Sequence, residues 1–187
     1  MPVKHGQSYK IMSTLKVNSI IPTAGAPTGG GGGITQIKQT VKSDTTTVSS
    51  ESFADLSGMT VSITPTNSSH KVFIMSHMTF CHQDQNHTVA FRLLRGSTPV
   101  CIGDASGSRL LGTGAFAQVG DGDHPFTVSF QFLDSPGVDS EVTYKIQVAT
   151  EGGDTVALNK RQVGDGGSTS PKNTRYASTI TAMEVSA

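Results

Sequence analysis

The chain has 187 residues, with 14 Lys and Arg against 14 Asp and Glu, so its formal net charge is zero; charged residues make up 15% of it and 21 residues are Gly. This is well short of the roughly 25% charge of an average soluble domain, and it excludes a strongly basic surface for nucleic acid or anionic lipid. No apolar run approaches the roughly 18 residues of a membrane-spanning helix, and the first twenty residues lack the continuous apolar core of a signal peptide.

Reading along the chain, residues 1–28 form a segment of their own, followed by Gly29-Gly30-Gly31-Gly32-Gly33. Five consecutive glycines hold neither helix nor strand, because each loses much backbone entropy on ordering. They read as a linker or as a tight crossing of several chains. Within the leading segment Leu15 and Val17 alternate with Lys16 and Asn18. That pattern suits a short strand able to pair with the edge of a partner's sheet. Pro22 and Pro27 stop anything longer.

From Ile34 to the C-terminus the pattern has period two, and residues 34–187 are predicted to form one domain. Ile37 and Val41 are the apolar points of the first stretch, Ile34–Val48. Leu56, Met59, Val61 and Ile63 follow, closed by Pro65 and the turn-like Thr66–Ser69. Val72, Ile74, Met78 and Phe80 mark one side of a long strand over 70–80, and Val89, Phe91 and Leu93 one side of the next. Arg95–Pro99 predicts a turn and Val100–Gly103 a short strand. Residues 104–124 read as a Gly- and Asp-rich loop with a weak strand near Ala115. Phe126, Val128, Phe130 and Phe132 give the clearest alternation in the chain, followed by Val142, Tyr144, Ile146 and Val148, and by the short Val156–Leu158. After a Gly-rich loop over 163–173, Ala177–Val185 closes the domain with a final strand expected in the middle of a sheet.

About eight short strands separated by turn residues, with no helical periodicity, predict an all-β fold. Clean alternation predicts antiparallel sheets packed as a sandwich. Eight strands point to a jelly roll in particular.

Chemical motifs are sparse. No nucleotide-binding glycine fingerprint, nucleophile elbow or HExxH is present, and an enzyme is not expected. His77, Cys81 and His82, with Asp84 and His87 nearby, contain metal-ligand residue types but match no closed zinc spacing. Asp121 and Asp123 in a glycine loop carry oxygen donors of the kind calcium takes. For both groups ordinary packing or a solvated turn is the expectation, and no cofactor or metal is predicted. Cys81 and Cys101 are too few for a disulfide scaffold and read as thiols of a chain made in a reducing cytoplasm. Arg92, Arg95 and Arg109 are candidate donors to salt bridges between subunits, with plain surface charge as the alternative. Long loops at the end of a rigid sandwich are where recognition usually resides. Arg109, Asp121, Asp123, His124 and Tyr176 are therefore the candidates for contact with a sugar or a protein.

The segment Met12-Ser-Thr-Leu-Lys-Val-Asn-Ser-Ile20 ahead of a glycine run, Phe53–Ile63, Ser69-His70-Lys71-Val72, Thr143–Val148, Leu158-Asn159-Lys160 and Ala177–Glu184 together resemble small fibre-like virion proteins of tailed bacteriophages, especially those of marine bacteria. The chain departs from that pattern by the eleven residues ahead of Met12. The resemblance implies a virion protein, assembled in the host cytoplasm and attached to tail or head through its N-terminal segment, with Leu15, Val17 and Ile20 at the contact. It also implies an outward-facing, homotrimeric knob, turned toward a host glycan or protein, with a jelly-roll or tumour-necrosis-factor-like fold. Ala90, Leu94, Ile180 and Ala182, opposite the expected core positions, are the candidate trimer contacts, or else they fill the edges of the core. A free carbohydrate- or protein-binding jelly roll is the alternative.

Overall fold

The computed structural model describes residues 33–82, 87–117, 124–161, 169 and 171–186. Eleven strands are found there: β1 (Ile34–Lys42), β2 (Thr46–Ser49), β3 (Ala54–Ile63), β4 (Lys71–His82), β5 (Thr88–Arg95), β6 (Thr98–Val100), β7 (Gly114–Ala117), β8 (Phe126–Asp134), β9 (Val142–Thr150), β10 (Thr155–Leu158) and β11 (Ser178–Val185). Two single-turn 3-10 segments, Glu151–Gly153 and Pro171–Asn173, are the helical elements among the described residues.

The strands form two sheets with antiparallel pairing throughout. In the first, β8 pairs with one edge of β4, while β11 and β10 follow one another along the other edge. β1 lies outside β11, and β2 outside β10. In the second, the order is β3-β9-β5, with β6 and β7 sharing the far edge of β5. Eleven strands thus occupy eight positions. The excess over the eight expected comes from breaks at 43–45, 159–177 and 101–113, each dividing one position between two short strands.

Alternation determines which side chains meet between the sheets. Val72, Ile74, Met78 and Phe80 of β4 are fully buried against Tyr144, Ile146 and Val148 of β9 and Val89 and Leu93 of β5, within one core cluster. Phe130 of β8 packs on the edge of this core beside Phe91, ring centroids 5.8 Å apart. Burying a side chain of this size contributes about 1.5–3 kcal/mol each. β3 bulges between Asp55 and Thr60 opposite β9. The bulge uses Gly58 at φ 81°, where an added Cβ would meet Lys42 Nζ at 2.9 Å. A side chain at Gly58 would thus displace the 5%-exposed lysine that packs over it. A two-residue turn at Gly96-Ser97 joins β5 to β6, with Gly96 at the positive φ such hairpins need.

β11 lies between β1 and β4, as expected of the closing strand. Its phase, however, is the reverse of the expected one. Ile180 and Ala182 are fully buried members of the core, whereas Thr179, Thr181 and Met183 face outward. Glu184 shares the inward phase and is itself fully buried. It accepts from Thr66 N (2.6 Å), Thr66 Oγ1 (2.7 Å), His70 Nδ1 (2.6 Å) and Gln36 Nε2 (2.6 Å). These donors permit the inward phase, which buries Ile180 and Ala182, by supplying an acid inside the sandwich with hydrogen bonds.

Candidate functional site

Two outward faces are available, one per sheet, and they differ in chemistry. The second sheet's outer face is polar and charged. Lys145 Nζ reaches Asp55 Oδ2 at 2.7 Å, Gln147 Nε2 donates to Asp55 Oδ1 at 2.6 Å, and Arg92 Nε donates to Gln147 Oε1 at 2.9 Å. The Arg92 guanidinium also lies 4.2 Å from the centre of the Phe53 ring. This ladder crosses three strands and is what a solvated sheet face ordinarily looks like.

The first sheet's outer face carries no such charges. The registers place Ile37, Gln39 and Val41 of β1, Thr179, Thr181, Met183 and Val185 of β11, Phe73, Met75, His77 and Thr79 of β4, and Thr127, Ser129, Gln131 and Leu133 of β8 on it. None is Asp, Glu, Lys or Arg, and Lys71 stands only at its rim. Ile37 is 56% exposed, Val41 57%, Met75 41% and Leu133 45%. The polar members bond to one another: Gln39 Nε2 donates to Thr181 Oγ1 at 2.8 Å, Thr79 and Thr127 share a hydroxyl bond of 2.9 Å, and His77 Nδ1 lies 3.2 Å from Ser129 Oγ. A groove of about 660 Å³ runs across the middle, lined by Ile37, Met75, His77, Gln131 and Met183 among others.

The predicted site residues fall as follows. Of the four candidate trimer contacts, Ile180 and Ala182 are corrected by the structure: both are enclosed within their own chain and present no surface. Leu94 is only 3% exposed. Ala90 is half-buried on the outer face of the second sheet, in a smaller groove of about 330 Å³ beside Leu110 and Glu151. Of the arginines expected to bridge subunits, Arg92 and Arg95 are engaged within the chain. Arg92 belongs to the ladder above. Arg95 Nη1 donates to Asp134 Oδ1 and Oδ2 at 3.0 and 2.9 Å. Arg109 and His124 are exposed, and Tyr176 is half-buried, its main-chain N–H donating to Asn159 O at 3.2 Å. Leu15, Val17, Ile20, Asp84, Asp121 and Asp123 lie outside the described residues.

The described members of the histidine and cysteine group do not gather at one point, although the His82 and His87 rings stand 6.0 Å apart. His77 is exposed on the outer face, Cys81 and His82 are both buried, and His87 pairs with Asp154. Among the described residues no three His, Cys, Asp or Glu side chains gather as metal ligands would. Cys81 is buried and Cys101 half-buried, both as thiols, and burial raises the Cys101 pKa.

The outward face of the first sheet is the surface that sequence reasoning missed. Its signal was present in Ile37 and Val41, apolar residues alternating along an edge strand, but their side could not be told from the pattern alone. No protein-family model matches the chain, and no curated protein matches it.

Proposed function

We propose that this chain is a structural component of a bacteriophage virion: a homotrimeric knob, on a tail or head fibre, attached through residues 1–28 and the glycine run. The motifs that resemble phage fibre proteins supply the class. The observation that carries a structural role is how the buried polar groups are used. Glu184, Asp134 and Asn159 are each bonded to partners from at least two separate segments of the chain, bracing the sandwich. Buried networks satisfied in this way rigidify a fold, which suits a particle component.

The fold we propose is a jelly roll. Counting each divided position once, the sheets run β1-β11-β4-β8 and β3-β9-β5-β7, so the first strand lies beside the last and neighbours in sequence alternate between sheets except at the hairpin from β5 to β6. This order, with its Greek-key returns, supports the assignment.

The test has two parts. Light scattering on the full chain should give three times its 19.5 kDa mass. Mass spectrometry of purified particles should find the protein as a virion constituent. A monomer at micromolar concentration, together with absence from particles, overturns the proposal. It would favour the second reading, a free glycan- or protein-binding module, for which the groove on the first sheet is the relevant observation.

A further inference from the structure

We infer that the outer face of the β1-β11-β4-β8 sheet is a self-association surface, and that its occupant is the same face of further copies of this chain. The inference rests on the homotrimer proposed above and names where its contacts lie.

Three observations lead to it. First, an antiparallel sheet open to water normally turns polar and charged side chains outward. The second sheet of this chain does so, with Asp55, Lys145 and Arg92. The first turns out Ile37, Val41, Met75 and Leu133, exposed between 41% and 57%, together with half-buried Phe73 and Met183. A contiguous apolar surface of this kind marks an interaction site.

Second, the chemistry of the face selects its partner. It has no formal charge between its strand ends, so it offers nothing for an acidic or basic surface to complement. Two copies meeting through it bring no like charges together. Stacking it on the other sheet of a neighbour would instead bury the Asp55–Lys145–Arg92 ladder, and burying charges costs several kcal/mol per ion. The neutral hydroxyls and amides that remain, on Gln39, Gln131, Ser129 and Thr179, can donate and accept to the same groups on another copy.

Third, the size is adequate. Strands about 4.8 Å apart and rising about 3.4 Å per residue give four nine-residue strands a projected area of roughly 600 Å². Side-chain relief adds to this, bringing it to the order of the roughly 800 Å² per partner of a standard interface. Around a threefold axis, three such faces would turn inward and the groove lined by Met75 and His77 would be filled by neighbours.

The experiment is light scattering at micromolar concentration on the full chain and on four full-length variants: Met75→Lys, Leu133→Lys, Gln131→Lys and Ala90→Lys. Circular dichroism and thermal melting monitor folding. The first three positions are neighbours on the β4–β8 half of the face, Met75 directly opposite Gln131, at exposed sites where lysine is compatible with the fold. At least one is therefore expected to fold, and any that melts early is set aside. The expected result is a threefold drop in mass to 19.5 kDa for the folded variants of the face, with wild type and Ala90→Lys remaining trimeric. A trimer that persists in folded Met75→Lys, Leu133→Lys and Gln131→Lys overturns the inference and leaves the homotrimer standing. So does dissociation by Ala90→Lys alone, which moves the contact to the other sheet. A monomeric wild type overturns the homotrimer and this inference with it.

Discussion

The side-chain amide of Asn159 donates to the main-chain carbonyl of Lys42 at 2.7 Å, across the point where the first sheet divides. The same nitrogen donates to Asp44 O at 3.0 Å, and Asn159 Oδ1 accepts from Ser178 Oγ at 2.6 Å. The Asn159 N–H donates to Thr79 O at 2.9 Å. One buried residue thus joins the end of β1, the end of β10, the start of β11 and the middle of β4. It does so at φ 63°, a left-handed conformation that asparagine adopts more readily than most residues.

Replacing Asn159 tests both features. Asn159→Gly keeps the backbone conformation and removes the side-chain bonds, leaving buried acceptors without donors, at about 2–4 kcal/mol. Asn159→Ala adds the left-handed penalty of about 1 kcal/mol. Urea unfolding should rank wild type above Gly and Gly above Ala. Equal midpoints for wild type and Asn159→Gly would deny Asn159 its role at the break.

Glu184 makes stability pH-dependent on the acid side. Burial pushes its carboxyl up, but hydrogen bonds from Thr66, Gln36 and His70 outweigh this and hold it at about 2, below its usual 4.5. A depressed carboxyl stabilises the fold fully above its unfolded value. That contribution is lost as pH falls from about 4.5 through about 2, and a shift of this size corresponds to on the order of 3 kcal/mol. Glu184→Gln should lower stability at pH 7 and flatten the decline between those limits. An unchanged acid limb in the variant would mean that other carboxylates set it.

Tyr144, Asp134 and Arg95 tie the two sheets at their edge. Tyr144 Oη donates to Asp134 Oδ2 at 2.7 Å, and Arg95 grips both oxygens of the same carboxylate. Tyr144→Phe leaves the acid with its arginine and should cost about 1–2 kcal/mol. Asp134→Ala leaves the buried Tyr144 hydroxyl without its acceptor and the partly exposed Arg95 guanidinium with Ser135 O at 3.2 Å, and should cost more, about 2–4 kcal/mol. Thermal unfolding of the two variants distinguishes this unequal arrangement from a symmetric one.

The same geometry predicts a silent tyrosine. Burial raises the Tyr144 pKa well above its usual 10, and the bond to Asp134 and its charge raise it further against the opposing effect of Arg95. Alkaline titration followed near 295 nm should show no ionisation from Tyr144 while the chain stays folded. Wild type and Tyr144→Phe should then give the same amplitude up to the pH of unfolding. A smaller amplitude in the variant before that point would show that Tyr144 is accessible.

Gly114 begins β7 against the ring of Phe91, where an added Cβ would lie 2.6 Å from Phe91 Cζ. Gly114→Ala must displace a buried aromatic side chain and should cost about 1–3 kcal/mol by overpacking. A smaller effect, read from urea midpoints, would mean that the ring moves aside freely.

The inward residues of β4, β5, β8 and β9 were legible in the sequence, as was the all-β class. In those strands the inward positions are mostly large and apolar and most outward neighbours are polar, so period two has one best solution despite outward Phe73, Met75, Leu94 and Leu133. The phase of β11 was not legible. Ile180 and Ala182 on one side compete with Met183 and Val185 on the other, and an acid in the inward set argues for the wrong choice. Only the tertiary structure supplies the Thr66, His70 and Gln36 donors that let Glu184 turn inward. The bare outer face was hidden for a related reason. Its apolar residues come from four strands separated by up to 148 positions, and each alone looks like a core residue. Composition determined that the chain carries few charges. Sheet pairing decided that one outer face has Asp55, Arg92 and Lys145 while the other has none between its strand ends, because side-chain direction in a strand follows from register and register from contacts remote in sequence.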